Sequence, residues 1–167
     1  MQKAWSKTNE GLYTCESHGV AVGSMRIEHA TMDRKAQCKF GEKEFEFKRI
    51  GFWRSTVEIR SKDGALLGTL QPEKWYANTW ILDYKGESFQ LAVRNNPLAE
   101  YVLSQNGKEV LAYGLDSKDA KLVVRISTTS AELDLLLDCL LWYYFVPIAM
   151  ENFGDSFSLL MLMNTSS

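Results

Sequence analysis

The chain holds little histidine, proline or cysteine: 2, 3 and 3 residues among 167. Cys15, Cys38 and Cys139 form no CxxC or other ligand spacing. Their odd number argues against a disulfide framework, so a reducing cytoplasm fits best. His18 and His29 add no metal-ligand pattern, and neither a metal nor another cofactor is expected. No phosphate loop and no dinucleotide fingerprint is present. Charge of one sign is also lacking. A net charge of −2 and a pI near 5.7 give no global attraction to nucleic acid or anionic lipid, so any such binding must come from a local patch. The opening residues, MQKAWSKTNEGLYT, have no apolar run of the kind a signal peptide needs, and secretion is not expected. No linker, low-complexity tract or charge block divides the sequence. With 46% hydrophobic residues, residues 1–167 are expected to form one domain with a sizeable core.

What is present is a rhythm of turns. SKDG (Ser61 to Gly64), DYKG (Asp83 to Gly86), QNGK (Gln105 to Lys108) and DSKD (Asp116 to Asp119) supply the Asp, Asn and Gly residues that tolerate tight-turn dihedrals. Between them lie runs of period two. Val57 and Ile59 alternate with Glu58 and Arg60, Phe45 and Phe47 with Glu46 and Lys48, and Phe89, Leu91 and Val93 with Gln90, Ala92 and Arg94. One face of each run is buried and the other is wet. SMRIEH, KAQCKF, EYVLSQ, KEVLAYGL and KLVVRIS read the same way. The spacing predicts on the order of ten antiparallel strands joined as hairpins, a mainly β fold.

The stretch LLLDCLLWYYFVPIAMENFGD, Leu135 to Asp155, breaks the rhythm. TSAE (Thr129 to Glu132) matches a capping box, and Glu132 and Asp134 suit the positive end of a helix, so a helix is expected over about 130–152. Its uninterrupted apolar run, Cys139 to Met150, is short of the roughly 20 residues a bilayer needs, and Pro147 removes a backbone hydrogen bond near its end; no transmembrane span is expected. From Leu140 onward the helix has no polar face, so it must be surrounded. A closed antiparallel β-barrel enclosing this helix satisfies that need and leaves no sheet edge. Gly154 reads as the stop signal, and the tail over 155–167 is expected to form a last strand or an apolar flap.

A ladder of short strands containing KRIGFWRSTVEIRSKDGALLGTL (Lys48 to Leu70), ending in a capped apolar helix, resembles the tubby C-terminal-like superfamily, which includes phospholipid scramblases and the plant LURP-one-related proteins. The likeness spans about Leu12 to Phe153. It implies a closed β-barrel of about a dozen strands threaded by a hydrophobic C-terminal helix. Functions in the family diverge: tubby domains bind phosphoinositide head groups, scramblases are tied to calcium and lipid movement, and the LURP-one-related members have no established chemistry. The cysteine-rich acylation cluster of scramblases is absent here. Where their calcium segment lies, Asp116 and Asp119 lack the run of oxygen donors and the closing Glu of a calcium loop.

The sharpest local feature is KRIGFWR. Lys48, Arg49 and Arg54 flank Phe52 and Trp53, and together they form a candidate lipid head-group site, with rings at the interface and cations on phosphates. The alternative is a strand, a turn at Gly51 and another strand, with Trp53 in the core and the cations solvated. FGDSFS (Phe153 to Ser158) matches a hydrolase nucleophile block, but no histidine follows Ser156, and no enzymatic activity is expected. Cys139 reads as core. Five Trp and eight Phe are explained by filling a barrel, without a stacking surface for nucleic acid. Two functions follow. The first is a cytoplasmic binding module, peripheral to membranes, that recognises anionic phospholipid through KRIGFWR or a cluster of the outward cations Lys39, Lys48, Arg60, Arg94 and Arg125. The second is a protein-interaction or structural domain without a lipid ligand, with an apolar patch over Leu159 to Met163 and self-association.

Overall fold

The computed structural model describes residues 3–28, 34–53, 55–74, 76–95, 99–118, 121–129 and 134–153. Twelve strands follow in order: β1 (Lys3–Asn9), β2 (Leu12–Ser17), β3 (Val20–Ile27), β4 (Ala36–Phe40), β5 (Lys43–Ile50), β6 (Thr56–Ser61), β7 (Leu66–Pro72), β8 (Thr79–Tyr84), β9 (Glu87–Asn95), β10 (Ala99–Gln105), β11 (Lys108–Lys118) and β12 (Lys121–Thr128). Each pairs antiparallel with the next in a single sheet, without a crossover. The sheet coils into a nearly closed barrel, and α1 (Leu135–Phe153) packs into its core. Every residue from 136 to 146 is buried, as the lack of a polar face on this helix requires. Among the described residues no helix is long and apolar enough to cross a membrane.

The period-two runs become strands with the expected faces inward: Phe47, Val57, Ile59 and Leu91 are fully buried. Lys85–Gly86 and Asn106–Gly107 have positive φ at both positions, which gives the two-residue hairpin turns their sequences favour. Register shifts in the pairings of β2 with β3, β6 with β7 and β10 with β11 add the local twist that lets a long meander curl. At Gly68 the chain passes so close to its neighbour that a Cβ would lie 2.5 Å from the Asp83 carbonyl oxygen. Two turn and cap readings shift. Asp116 is not in a turn but pairs with Val123 inside the β11–β12 ladder, and Asp119 lies outside the described residues.

The helix begins later than the capping box suggests. The Thr129 amide and hydroxyl bond β11 carbonyls instead, Val110 O at 3.2 Å and Glu109 O at 3.3 Å, and Glu132 lies outside the described residues. Asp134 is the cap: its Oδ1 accepts from the Leu136 amide at 3.1 Å. Its Oδ2 also accepts from Tyr84 Oη at 2.8 Å and Lys85 Nζ at 2.9 Å, which ties the helix start to the β8–β9 turn. Half-burial raises the Asp134 carboxyl, but the hydrogen bonds from Lys85, the Leu136 amide and Tyr84 together carry it below the ordinary carboxylate value.

Side chains join the first strand to β11 and to the helix. Trp5 Nε1 donates to Tyr113 Oη at 3.0 Å, and Tyr113 Oη donates to Asp138 Oδ1 at 3.0 Å. Lys3 Nζ donates to Asp138 Oδ2 at 2.5 Å with both side chains essentially inaccessible. Trp5 also stacks on Trp142, ring centroids 5.2 Å apart and nearly parallel. Strand β1, strand β11 and the helix are thereby held as one unit. The three cysteines are free and buried, and burial raises the thiols of Cys15 and Cys139, as expected of core positions.

Candidate functional site

In an up-and-down barrel alternate connections share an end. The β1–β2, β3–β4, β5–β6 and β7–β8 connections therefore gather at the end where the C-terminal half of α1 emerges, and Pro147 is exposed there. Proline has no N–H, so the carbonyl four residues earlier, that of Tyr143, loses its helical donor. Arg34 supplies one from outside: its Nη2 donates to Tyr143 O at 2.6 Å. The exchange is reciprocal, because Tyr143 Oη donates to Arg34 O at 2.5 Å. Arg34 holds a left-handed backbone with φ 37°, a conformation that costs a non-glycine residue about 1–3 kcal/mol.

Arg49, at the end of β5, reaches the same ring. Its Nε donates to Tyr143 Oη at 3.2 Å, and its guanidinium lies 5.9 Å from the Tyr143 ring centre and 5.7 Å from that of Tyr144. The Arg34 guanidinium is 4.8 Å from the Tyr143 ring. Two cations thus flank one tyrosine, and among the described residues neither has a carboxylate partner. Burial, and after it the charge of Arg49, lowers the Arg34 guanidinium from its ordinary value, but arginine remains a cation in any such setting.

Arg34 and Arg49 line a cavity of about 460 Å³ whose other walls include Trp53, Trp80, Tyr101 and Tyr144. Trp80 and Tyr101 both pack on Tyr144, with ring centroids 6.1 and 6.3 Å away. Arg34 and Pro147 also line a second cavity of about 470 Å³ toward Tyr13 and Met150, so Arg34 stands between two recesses. Above them is an aromatic rim. Phe52 and Trp53 in the β5–β6 connection are 89% and 84% exposed, and Tyr76 in the β7–β8 connection is 66% exposed. Phe52 and Trp53 are carried beyond the barrel wall because β5 ends at Ile50 and Gly51 turns the chain at φ 87°.

The KRIGFWR residues therefore separate. Arg49 turns inward to the helix, Lys48 faces outward from β5, Phe52 and Trp53 form the rim, and Arg54 lies outside the described residues. Trp53 is not in the core, since residues 51–53 stand beyond the last strand pair and have no inward face. The outer cations do not form a free basic cluster either. Lys39 pairs with Glu44 at 3.7 Å, Arg60 with Glu58 at 2.8 Å, Arg125 with Glu100 at 2.6 Å, and Arg94 with Glu109, with Glu100 at 3.9 Å. Opposite charges within one strand or one to two strands apart neutralise that face. Lys48 alone of the five has no ion pair among the described residues. The expected apolar patch over Leu159 to Met163, Ser156 and His29 lie outside the described residues. His18 sits in the β2–β3 turn, at the other end of the barrel from this mouth.

Comparison with family models, with curated proteins and with solved structures found no match.

Proposed function

We propose that this protein is a non-enzymatic, tubby-like binding module, and that the mouth of its barrel docks on the cytoplasmic surface of a membrane and recognises anionic phospholipid head groups. One observation carries the reading: exposed Phe52, Trp53 and Tyr76 lie in connections at the same end of the barrel as Arg34 and Arg49, Trp53 shares a cavity wall with both arginines, and neither guanidinium has a carboxylate partner among the described residues. Aromatic rings favour the head-group layer, and cations near an anionic leaflet contribute about 1 kcal/mol each. A Phe-sized side chain moved out of water adds about 1.5–3 kcal/mol. Two inserted rings and two or three cations then suffice for reversible association, whereas the paired cations of the outer sheet add little.

Flotation with neutral and anionic liposomes tests this. Wild-type protein is expected to float with anionic vesicles at low salt and to be released at high salt, because exposed charges are screened within about 10 Å at 0.1 M. The double substitution Phe52→Ser and Trp53→Ser should abolish flotation without lowering thermal stability. Wild-type protein that remains unbound to anionic vesicles at low salt overturns the reading.

A further inference from the structure

The mouth cavity is rich in donors. Arg34 Nε is buried without a hydrogen-bond partner among the described residues. Arg49 uses Nε on Tyr143, and no hydrogen bond of its terminal nitrogens is found among the described residues. Among those residues Trp80 Nε1, Tyr101 Oη and Tyr144 Oη likewise have no hydrogen-bond partner, and all three side chains line the same space. Two positive charges and at least three neutral donor groups belong to side chains that line this space, and among the described residues no carboxylate does. In a half-enclosed site, that imbalance favours an anion brought from outside.

Charge and shape narrow the anion. A carboxylate offers one charge and two oxygens. A phosphate monoester offers about −1.5 to −2 at pH 7 and three acceptor oxygens, which matches two guanidiniums whose stems are already braced on Tyr143. Much of the remaining wall is aromatic, with Trp80 and Tyr101 both packed on Tyr144, and such walls take a flat ring by stacked or edge contacts. A volume of about 460 Å³ lies within the range of sites for small organic ligands, about 300–1,000 Å³. We infer that the mouth cavity binds a phosphate monoester carried on a flat ring, with the phosphate on Arg34 and Arg49 and the ring against Trp80 and Tyr101. The site shares its arginines with the membrane reading but needs no membrane.

Phenyl phosphate is the probe, followed by tryptophan fluorescence, since Trp53 and Trp80 line the cavity, and by calorimetry. Saturable binding is expected, about 10-fold tighter than inorganic phosphate or phenol, because each lacks half of the recognised chemistry. Arg49→Gln should weaken it about 10- to 100-fold, the range for losing hydrogen bonds to a charged group. Arg34→Gln should do the same, but Arg34 also braces the helix; Arg49→Gln, with circular dichroism and melting unchanged, is therefore the deciding variant. Two further arms separate the source of the monoester. Phenyl phosphate binding without association to phosphatidic acid vesicles supports a soluble ligand and refutes only the membrane reading. Association with those vesicles that phenyl phosphate displaces supports a lipid-borne monoester. Absence of saturable binding by the wild type, equal affinity for phenol and phenyl phosphate, or binding unchanged by Arg49→Gln overturns the inference.

Discussion

Replacing Lys3 by methionine tests the buried polar unit that ties β1 to the helix. Lys3 Nζ lies 2.5 Å from Asp138 Oδ2, and the two side chains are 1% and 0% exposed. Methionine fills similar space but leaves Asp138 with a hydrogen bond from Tyr113 and no cation. Removing one partner of a buried pair costs about 3–5 kcal/mol, because the remaining charge is left unpaired in a medium that solvates it poorly. For a domain of this size each kcal/mol lowers the melting temperature by about 2–4 °C, so a fall of roughly 6–20 °C is expected. The double variant Lys3→Met, Asp138→Leu removes both charges, and it should recover to within about 2 kcal/mol of wild type, short of full recovery because Tyr113 loses its acceptor. The pH dependence has a definite sign. Burial raises the Asp138 carboxyl, and Lys3 is the chief group opposing that rise. Without Lys3 the folded-state value moves further above the unfolded value of about 3.9, so folding is least penalised below that pH and loses stability as pH rises toward the folded-state value. Urea denaturation of wild type and variants at pH 4.5 and 7.5 measures this. The reasoning is refuted if Lys3→Met costs less than about 1 kcal/mol at pH 7.5, or if its deficit is the same at both pH values.

Three other outcomes follow from single contacts. Asp134→Ala removes the helix cap and should cost about 1 kcal/mol at neutral pH; because the folded-state carboxyl lies below its ordinary value, the contribution is present above about pH 3.9 and disappears as pH falls through the lowered value, so wild type and variant should converge in melts near pH 2–3. Gly68→Ala places a methyl 2.5 Å from the Asp83 carbonyl oxygen, and a loss of about 1–3 kcal/mol is expected in denaturant titrations; a neutral outcome would show that β7 and β8 can separate at that point. Pro147→Ala returns an N–H to Tyr143 O in competition with Arg34 Nη2, and should raise the melting temperature while weakening phenyl phosphate binding several-fold, whereas unchanged binding would separate the Arg34 position from the proline.

The fold was largely legible because period two survives wherever inward residues are apolar, as in β5, β6 and β9, and because Asn-Gly and Lys-Gly turns leave few backbone choices. Strands β1 and β2 were harder to see. In β1 an inward Lys3 breaks the alternation, and the partner that makes it tolerable, Asp138, is 135 residues away. The late helix start has a similar cause: TSAE satisfies the local capping pattern, but Thr129 is claimed by the β11 edge, and Asp134 gains Tyr84 and Lys85 only once the barrel has formed. Half of the candidate site could be read from KRIGFWR. Arg34 could not. Pro147 marked Tyr143 as a carbonyl in need of a donor, yet nothing in the sequence says that the donor comes from the β3–β4 connection.

The two ends of the barrel treat charge differently, and the contrast bears on function. At the start of the helix, a carboxylate, an ammonium and a tyrosine hydroxyl answer one another at Asp134, Lys85 and Tyr84, and the outer sheet pairs its cations with glutamates. Such matching is what stability alone calls for. At the mouth, Arg34 bears a left-handed backbone, a buried Nε without a partner among the described residues and a like charge nearby, and in return completes one carbonyl that any residue but proline at position 147 would have completed within the helix. Proline and arginine thus create and meet each other's need, with a net cost to the fold. An arrangement whose internal account is unfavourable, set beneath exposed rings and beside an aromatic cavity, is better explained by what it offers to an incoming anion than by what it does for the barrel.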